Sequence, residues 1–151
     1  MAQELKKRRM ESAKDLILQA FYFLESQYFY THVYYEKEDI TFIESLDVEY
    51  VNEIRRRKIR ISYTNANVYN ESKYTFSMSI TRIPYSGVED FFSLSNYLQS
   101  KGRDFSTSIV NYFNEQEAEK ILKKLAKSTI ENTLPIVEGN LWLESYYPRK
   151  D

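Results

Sequence analysis

Lys58-Ile59-Arg60-Ile61-Ser62-Tyr63-Thr64, followed by Tyr74-Thr75-Phe76-Ser77-Met78-Ser79-Ile80-Thr81-Arg82, decides the fold. In both stretches large apolar residues alternate with hydroxyls and cations, the period of a half-buried strand. Asn65 to Ser72, rich in Asn and small residues, carries the turn chemistry of an antiparallel connection. Setting Ile59, Ile61, Tyr63, Tyr74, Phe76, Met78 and Ile80 against one core turns Lys58, Arg60, Ser62, Thr75, Ser77, Ser79 and Thr81 to the reverse side. The reading predicts an antiparallel sheet with one packed face and one wet face, its helices all on the packed side.

Two long helices are available to cover it. From Gln3 to Gln27, Met10, Ala13, Ile17, Ala20, Phe21 and Leu24 recur at helical spacing, and Leu16 and Phe23 widen the stripe toward its second half. The first turns should therefore be the more exposed. Asn114, with Glu117 three positions later, opens the second helix, whose stripe is Ala118, Ile121, Leu122, Leu125, Ala126, Thr129 and Ile130. Glu119 and Lys123 have the spacing of a surface charge pair. Pro135 is expected to end or kink this helix, and Gly139 to terminate it before Leu141, Trp142 and Leu143.

The remaining segments are shorter. Tyr28 to Tyr35 reads as a strand with Phe29, Thr31, Val33 and Tyr35 on one face and Tyr28, Tyr30, His32 and Tyr34 on the other. Ile40 to Ser45 and Leu46 to Val51 are further strand candidates. Pro84 and Gly87 close the strand region, Asn96 to Ser100 reads as a short helix after Ser95, and Gly102 suits a left-handed cap. With no linker and no internal repeat, residues 1–151 are expected to form one α+β domain. Its core would be a single antiparallel sheet of about four to five strands, the long N-terminal and C-terminal helices packed on one face and the other face largely polar.

Composition narrows the function. The chain has 14 Tyr, 9 Phe and 1 Trp, but 1 His, 3 Gly and no Cys. Tyrosine presents a rigid apolar ring with a polar tip, suited to half-buried surfaces and interfaces, and its phenol is a poor acid or base near neutrality. Without cysteine there are no disulfides, thiolate nucleophiles or zinc fingers. Any histidine-dependent triad or metal site would need His32, which reads more simply as a strand residue. Gly87, Gly102 and Gly139 are scattered and form no phosphate-binding pattern. No catalytic residue, cofactor or metal is therefore expected. No apolar run is long enough to span a membrane, Glu11, Lys14 and Asp15 interrupt any signal-peptide core, and the sequon Asn70-Glu71-Ser72 reads as chance. A cytoplasmic location is expected.

The net charge of −1 hides segregation along the chain. Glu36, Glu38, Asp39, Glu44, Asp47, Glu49 and Glu53 precede Arg55, Arg56, Arg57, Lys58 and Arg60, an arrangement in which the two signs can face each other across a hairpin. The functional reading places a protein partner on Tyr28, Tyr30, Tyr34, Tyr35, Glu36, Glu38, Asp39, Glu44, Asp47 and Glu49, aromatic anchors beside charge. The alternative is a nucleic-acid-binding or regulatory protein using Arg55 to Arg60, with aromatics such as Tyr63 or Tyr69 to stack on bases. The upstream acids disfavour it.

The element order adds a resemblance. A long N-terminal helix, Val48-Glu49-Tyr50-Val51-Asn52 before Lys58-Ile59-Arg60-Ile61-Ser62-Tyr63, the segment Phe92-Ser93-Leu94-Ser95-Asn96-Tyr97-Leu98, and a last helix ending near Leu134-Pro135 and Gly139-Asn140-Leu141-Trp142 resemble small bacterial α+β proteins. Among these are immunity proteins encoded beside polymorphic toxins. The resemblance implies a protein that neutralises a cognate toxin by direct binding, and it assigns no residue a role.

Overall fold

The sheet is built around the hairpin that the alternating stretches specify, β3 (Arg57–Val68) and β4 (Glu71–Arg82). The computed structural model describes residues 2–37, 43–68 and 71–143. Before the hairpin come α1 (Ala2–Ala20), α2 (Tyr22–Ser26), β1 (Thr31–Lys37) and β2 (Ile43–Asn52); after it come β5 (Phe91–Ser93), α3 (Leu94–Ser100), β6 (Ser108–Val110) and α4 (Glu115–Val137). The strands lie in the order β1-β2-β3-β4, all antiparallel, and the short β5 and β6 share the outer edge of β4. The fold is α+β with one antiparallel sheet.

Alternation sets the faces. Leu46, Val48 and Tyr50 of β2, Ile59, Ile61 and Tyr63 of β3, and Tyr74, Phe76, Met78 and Ile80 of β4 are all buried, with Met10, Ala13, Ile17, Phe21 and Leu24 from the N-terminal helices and Ala118, Leu122, Leu125 and Ala126 from α4. Tyr63, Phe76, Tyr74 and Phe113 form a ring cluster with centroids 5.3 to 6.3 Å apart. On the reverse face, register lines up Arg60 with Ser79, Ser62 with Ser77 and Thr64 with Thr75. That face is largely polar.

Several boundaries differ from the sequence reading. Asn65 to Val68 and Glu71 to Ser72 belong to the hairpin strands rather than to the connection, because Asn65↔Tyr74, Ala66↔Lys73, Asn67↔Ser72 and Val68↔Glu71 pair; ladder pairing outweighs the local preference of Asn for turns, and Tyr69 and Asn70 lie outside the described residues. The N-terminal helix breaks at Phe21, where the backbone leaves helical geometry while the ring stays fully buried. β1 starts at Thr31 rather than Tyr28, since Phe29 has a positive φ of 61°. One strand, β2, replaces two candidates, and Ile40, Thr41 and Phe42 lie outside the described residues.

Helix α4 runs two residues past Pro135, to Val137, and ends in a Schellman cap: Gly139, at φ 86°, donates to Ile136 O and Asn140 donates to Pro135 O, both at 3.0 Å. Asn114 caps the other end through Gln116 and Glu117, and Glu119 pairs with Lys123 at 2.9 Å. Ile130 is exposed, and Thr133, Ile136 and Val137 continue the buried stripe instead. At α3, Ser93 rather than Ser95 is the N-cap.

Candidate protein interface

The sequence-predicted partner residues among the described residues divide among five environments. Tyr30 is core, donating its hydroxyl to Val137 O at 2.6 Å, and burial raises its pKa. Tyr28 is half-buried, its ring edge-on to Phe23 and beneath the Arg55 guanidinium at 5.6 Å. Tyr34, Tyr35 and Glu36 lie on the exposed strand β1, Tyr35 on the opposite face from Tyr34 and Glu36. Glu44 is bound to Arg9, with the Tyr63 hydroxyl donating to it at 3.3 Å. Glu38 and Asp39 lie outside the described residues.

Asp47 and Glu49 sit on the open face, yet only 6% and 8% of their surface is accessible. Antiparallel register explains this: β2 places Glu49 opposite Arg60 and next to Lys58, while Lys37 approaches from β1. Arg60 Nη2 donates to Glu49 at 2.8 Å, and Lys37 Nζ lies 3.5 Å from Asp47. The acidic and basic segments thus face each other across a hairpin, and the long cation stems cover the carboxylates.

The rest of the basic run organises one end of the sheet. Arg55 Nε donates to Tyr28 O at 3.0 Å and Nη1 to Glu138 O at 2.8 Å. Arg57, buried, donates from Nε to Ile136 O and from Nη2 to Leu141 O, each at 2.8 Å, and from Nη1 to Arg56 O at 3.0 Å. Ile136 O, which also accepts from Gly139 N, and Glu138 O lie at the C-terminus of α4, where the helix dipole is negative and favours cations. Arg56 Nε donates to Ile83 O, and Ile83 N donates back to Arg56 O. Trp142 stacks under Arg57 and Arg82, at 4.9 and 5.2 Å, and donates to Glu89 O at 2.7 Å. Asp90 closes the network: Ser86 donates to it from hydroxyl and backbone, and Arg82 pairs with it at 2.6 Å. The two Ser86 bonds and the Arg82 charge hold its pKa well below the usual carboxylate range.

Four loops are thereby stitched into one platform, and its rim is apolar. Phe29, Ile54, Tyr85, Val88 and Leu141 all project from it, exposed. Ile54 is 96% exposed at the tip of the β2–β3 turn, which Arg56 N closes onto Glu53 O at 3.1 Å. Phe29 is 73% exposed, and Asn52 Nδ2 holds its loop by bonds to Tyr28 O and Phe29 O at 2.9 and 3.3 Å. Both loops carry a non-glycine residue in the left-handed region, Phe29 at φ 61° and Arg56 at φ 60°. Comparison with known protein families, with curated proteins and with solved structures finds no match to this chain.

Sequence reading missed this platform. The arginine run signalled it, but as cations without an address: only the tertiary fold shows Arg55 and Arg57 facing the last carbonyls of α4. His32, the lone imidazole, is exposed on β1 with Nδ1 2.7 Å from Glu25 Oε1. Among the described residues no His, Cys, Asp and Glu side chains cluster in a metal-binding arrangement, and no helix is long and apolar enough to cross a membrane.

Proposed function

We propose that this chain is a non-enzymatic protein-binding module, acting as a bacterial immunity protein that neutralises a cognate toxin by stoichiometric contact. The observation that carries the reading is Phe29. A phenylalanine in the left-handed region is strained by about 1–2 kcal/mol, where glycine or asparagine would not be. The strain supports no packing, since most of the ring faces solvent. A bulky aromatic held out at a backbone's expense, beside a nearly naked isoleucine, suits a binding anchor. The bonds from Asn52 and Arg55 fix the loop beforehand, which reduces the ordering cost of association.

The test is co-expression with the product of the neighbouring gene, scored by rescue of growth and by co-purification. Wild type should rescue, and a Phe29→Gly, Ile54→Ser double variant should bind at least about 100-fold more weakly, two anchors at ~2 kcal/mol each giving more than this. Phe29→Gly alone should also stabilise the isolated protein by up to about 1 kcal/mol, the signature of a residue kept for function. Absence of both complex and rescue with wild type refutes the reading, as does full binding by the double variant.

A further inference from the structure

The two edges of the sheet are treated differently. The outer edge of β4 is capped along its length: β6 pairs with Lys73 to Thr75, β5 with Ser79 to Thr81, and between them Phe76 N donates to Thr107 O at 3.2 Å while the buried Thr107 hydroxyl bonds Phe76 O. β1, at the opposite edge, pairs only with β2 among the described residues, and all seven of its residues, Thr31 to Lys37, are exposed. Its centre, Val33-Tyr34-Tyr35, is apolar and aromatic. An open edge of this kind is a template for another strand, and proteins that avoid such pairing place charges or proline at its centre. Here the charged residues stand toward the end, at Glu36 and Lys37.

We infer that β1 pairs with β1 of a second copy of this chain, antiparallel about a twofold axis through Tyr34, joining the two sheets into one. The sequence of the strand is complementary to itself in that register. Tyr34 opposes its own copy, Val33 opposes Tyr35, His32 opposes Glu36 and Thr31 opposes Lys37. No other twofold register opposes all seven residues. Side-chain direction agrees: opposite β2, His32, Tyr34 and Glu36 share the helix-side face with Tyr50, Val48 and Leu46, whereas Val33 and Tyr35 share the open face with Glu49 and Asp47. Each cross-axis pair therefore meets on one face, apolar with apolar and imidazole with carboxylate.

The groups are also prepared for it. His32 engages Glu25 through Nδ1, and as an imidazolium it has Nε2–H left to donate to Glu36 of the second copy. Lys14 Nζ lies 4.5 Å from the Tyr34 ring centroid, fixing that ring before association. The edge is distinct from the loop platform, so the assignment does not rest on the toxin-binding reading. A dimer would present two platforms at once.

Sedimentation over a concentration series tests it. Wild type should rise from 18.1 kDa toward twice that mass. Tyr34→Lys and Tyr34→Glu chains, each placing like charges across the axis, should self-associate roughly tenfold or more weakly, and an equimolar mixture of the two should recover the dimer. Because the chain has no cysteine, Tyr34→Cys offers an independent measurement. Under mild oxidation it should form a covalent dimer, while Ile130→Cys, exposed on α4, should not. Wild type that stays monomeric at every concentration overturns the inference and leaves the edge to a strand from a different protein. Dimerisation unaffected by both charged substitutions, or equal cross-linking at positions 34 and 130, places the contact elsewhere and overturns it equally.

Discussion

Replacing Arg57 by methionine keeps the aliphatic stem and removes every hydrogen bond of the guanidinium, which makes it the sharpest probe of the platform. Arg57 is 4% exposed and donates to the carbonyls of Ile136, Leu141 and Arg56. Hydrogen bonds from a charged donor contribute about 1.5–3 kcal/mol each, and contact with the Trp142 face adds roughly 0.5–2 kcal/mol. Against this stands desolvation, which lowers the pKa of Arg57 and which methionine would not suffer. Removing one partner of a buried charged network usually costs about 3–5 kcal/mol, and relief of desolvation brings the expected loss to about 2–4 kcal/mol. For a domain stable by about 5–15 kcal/mol that is a large fraction, equivalent to roughly 5–15 °C in Tm.

Urea denaturation of Arg57→Met, followed by circular dichroism, gives the loss directly, and Trp142, the sole tryptophan, reports on the site. Its emission should shift to longer wavelength as the cation stack opens. Arg56→Met, the exposed neighbour, should cost less than about 1 kcal/mol. A loss below about 0.5 kcal/mol for Arg57→Met, or an unchanged emission spectrum, would refute the argument that Arg57 ties α4 to the sheet.

The other expectations are smaller. The Tyr50 hydroxyl is buried with no hydrogen-bond partner among the described residues, so Tyr50→Phe should be neutral or stabilise by up to about 1–2 kcal/mol in the same denaturation assay; a loss above about 1 kcal/mol would show a missed partner. Asp90, with its pKa depressed by Ser86 and Arg82, stabilises the folded state above the unfolded aspartate pKa of about 4, and that contribution is lost as pH falls toward the depressed value. The stability gap between wild type and Asp90→Asn should therefore be full at pH 7 and shrink below about pH 4, measured by thermal melts. A gap independent of pH would exclude the ionised carboxylate as its source.

The sequence reading and the structure agree most closely where local pattern and long-range packing demand the same thing. Ile59, Ile61, Tyr63, Tyr74, Phe76, Met78 and Ile80 face the core because a period of two has only one way to bury its apolar row. The Asn114 cap and the Gly139 terminator were legible because each is set by local backbone requirements. That the acidic and basic segments face each other across a hairpin was legible for a related reason: a short hairpin turn brings neighbours in sequence face to face.

Where the two part, a distant contact decides. Tyr30 leaves the tyrosine row because its hydroxyl reaches Val137, and Phe29 takes a conformation no propensity scale would assign it. Arg55 and Arg57 belong to the run weighed as an alternative phosphate-binding site, but carbonyls that receive them lie at the end of α4, far along the chain. By itself the sequence determined the sheet, its packed face and the capped helices, because those follow from periodicity and local backbone chemistry. Only the tertiary structure decided which edge of the sheet is left unpaired among the described residues and which apolar side chains stand exposed together on the loop platform, because both depend on where residues remote in sequence come to rest.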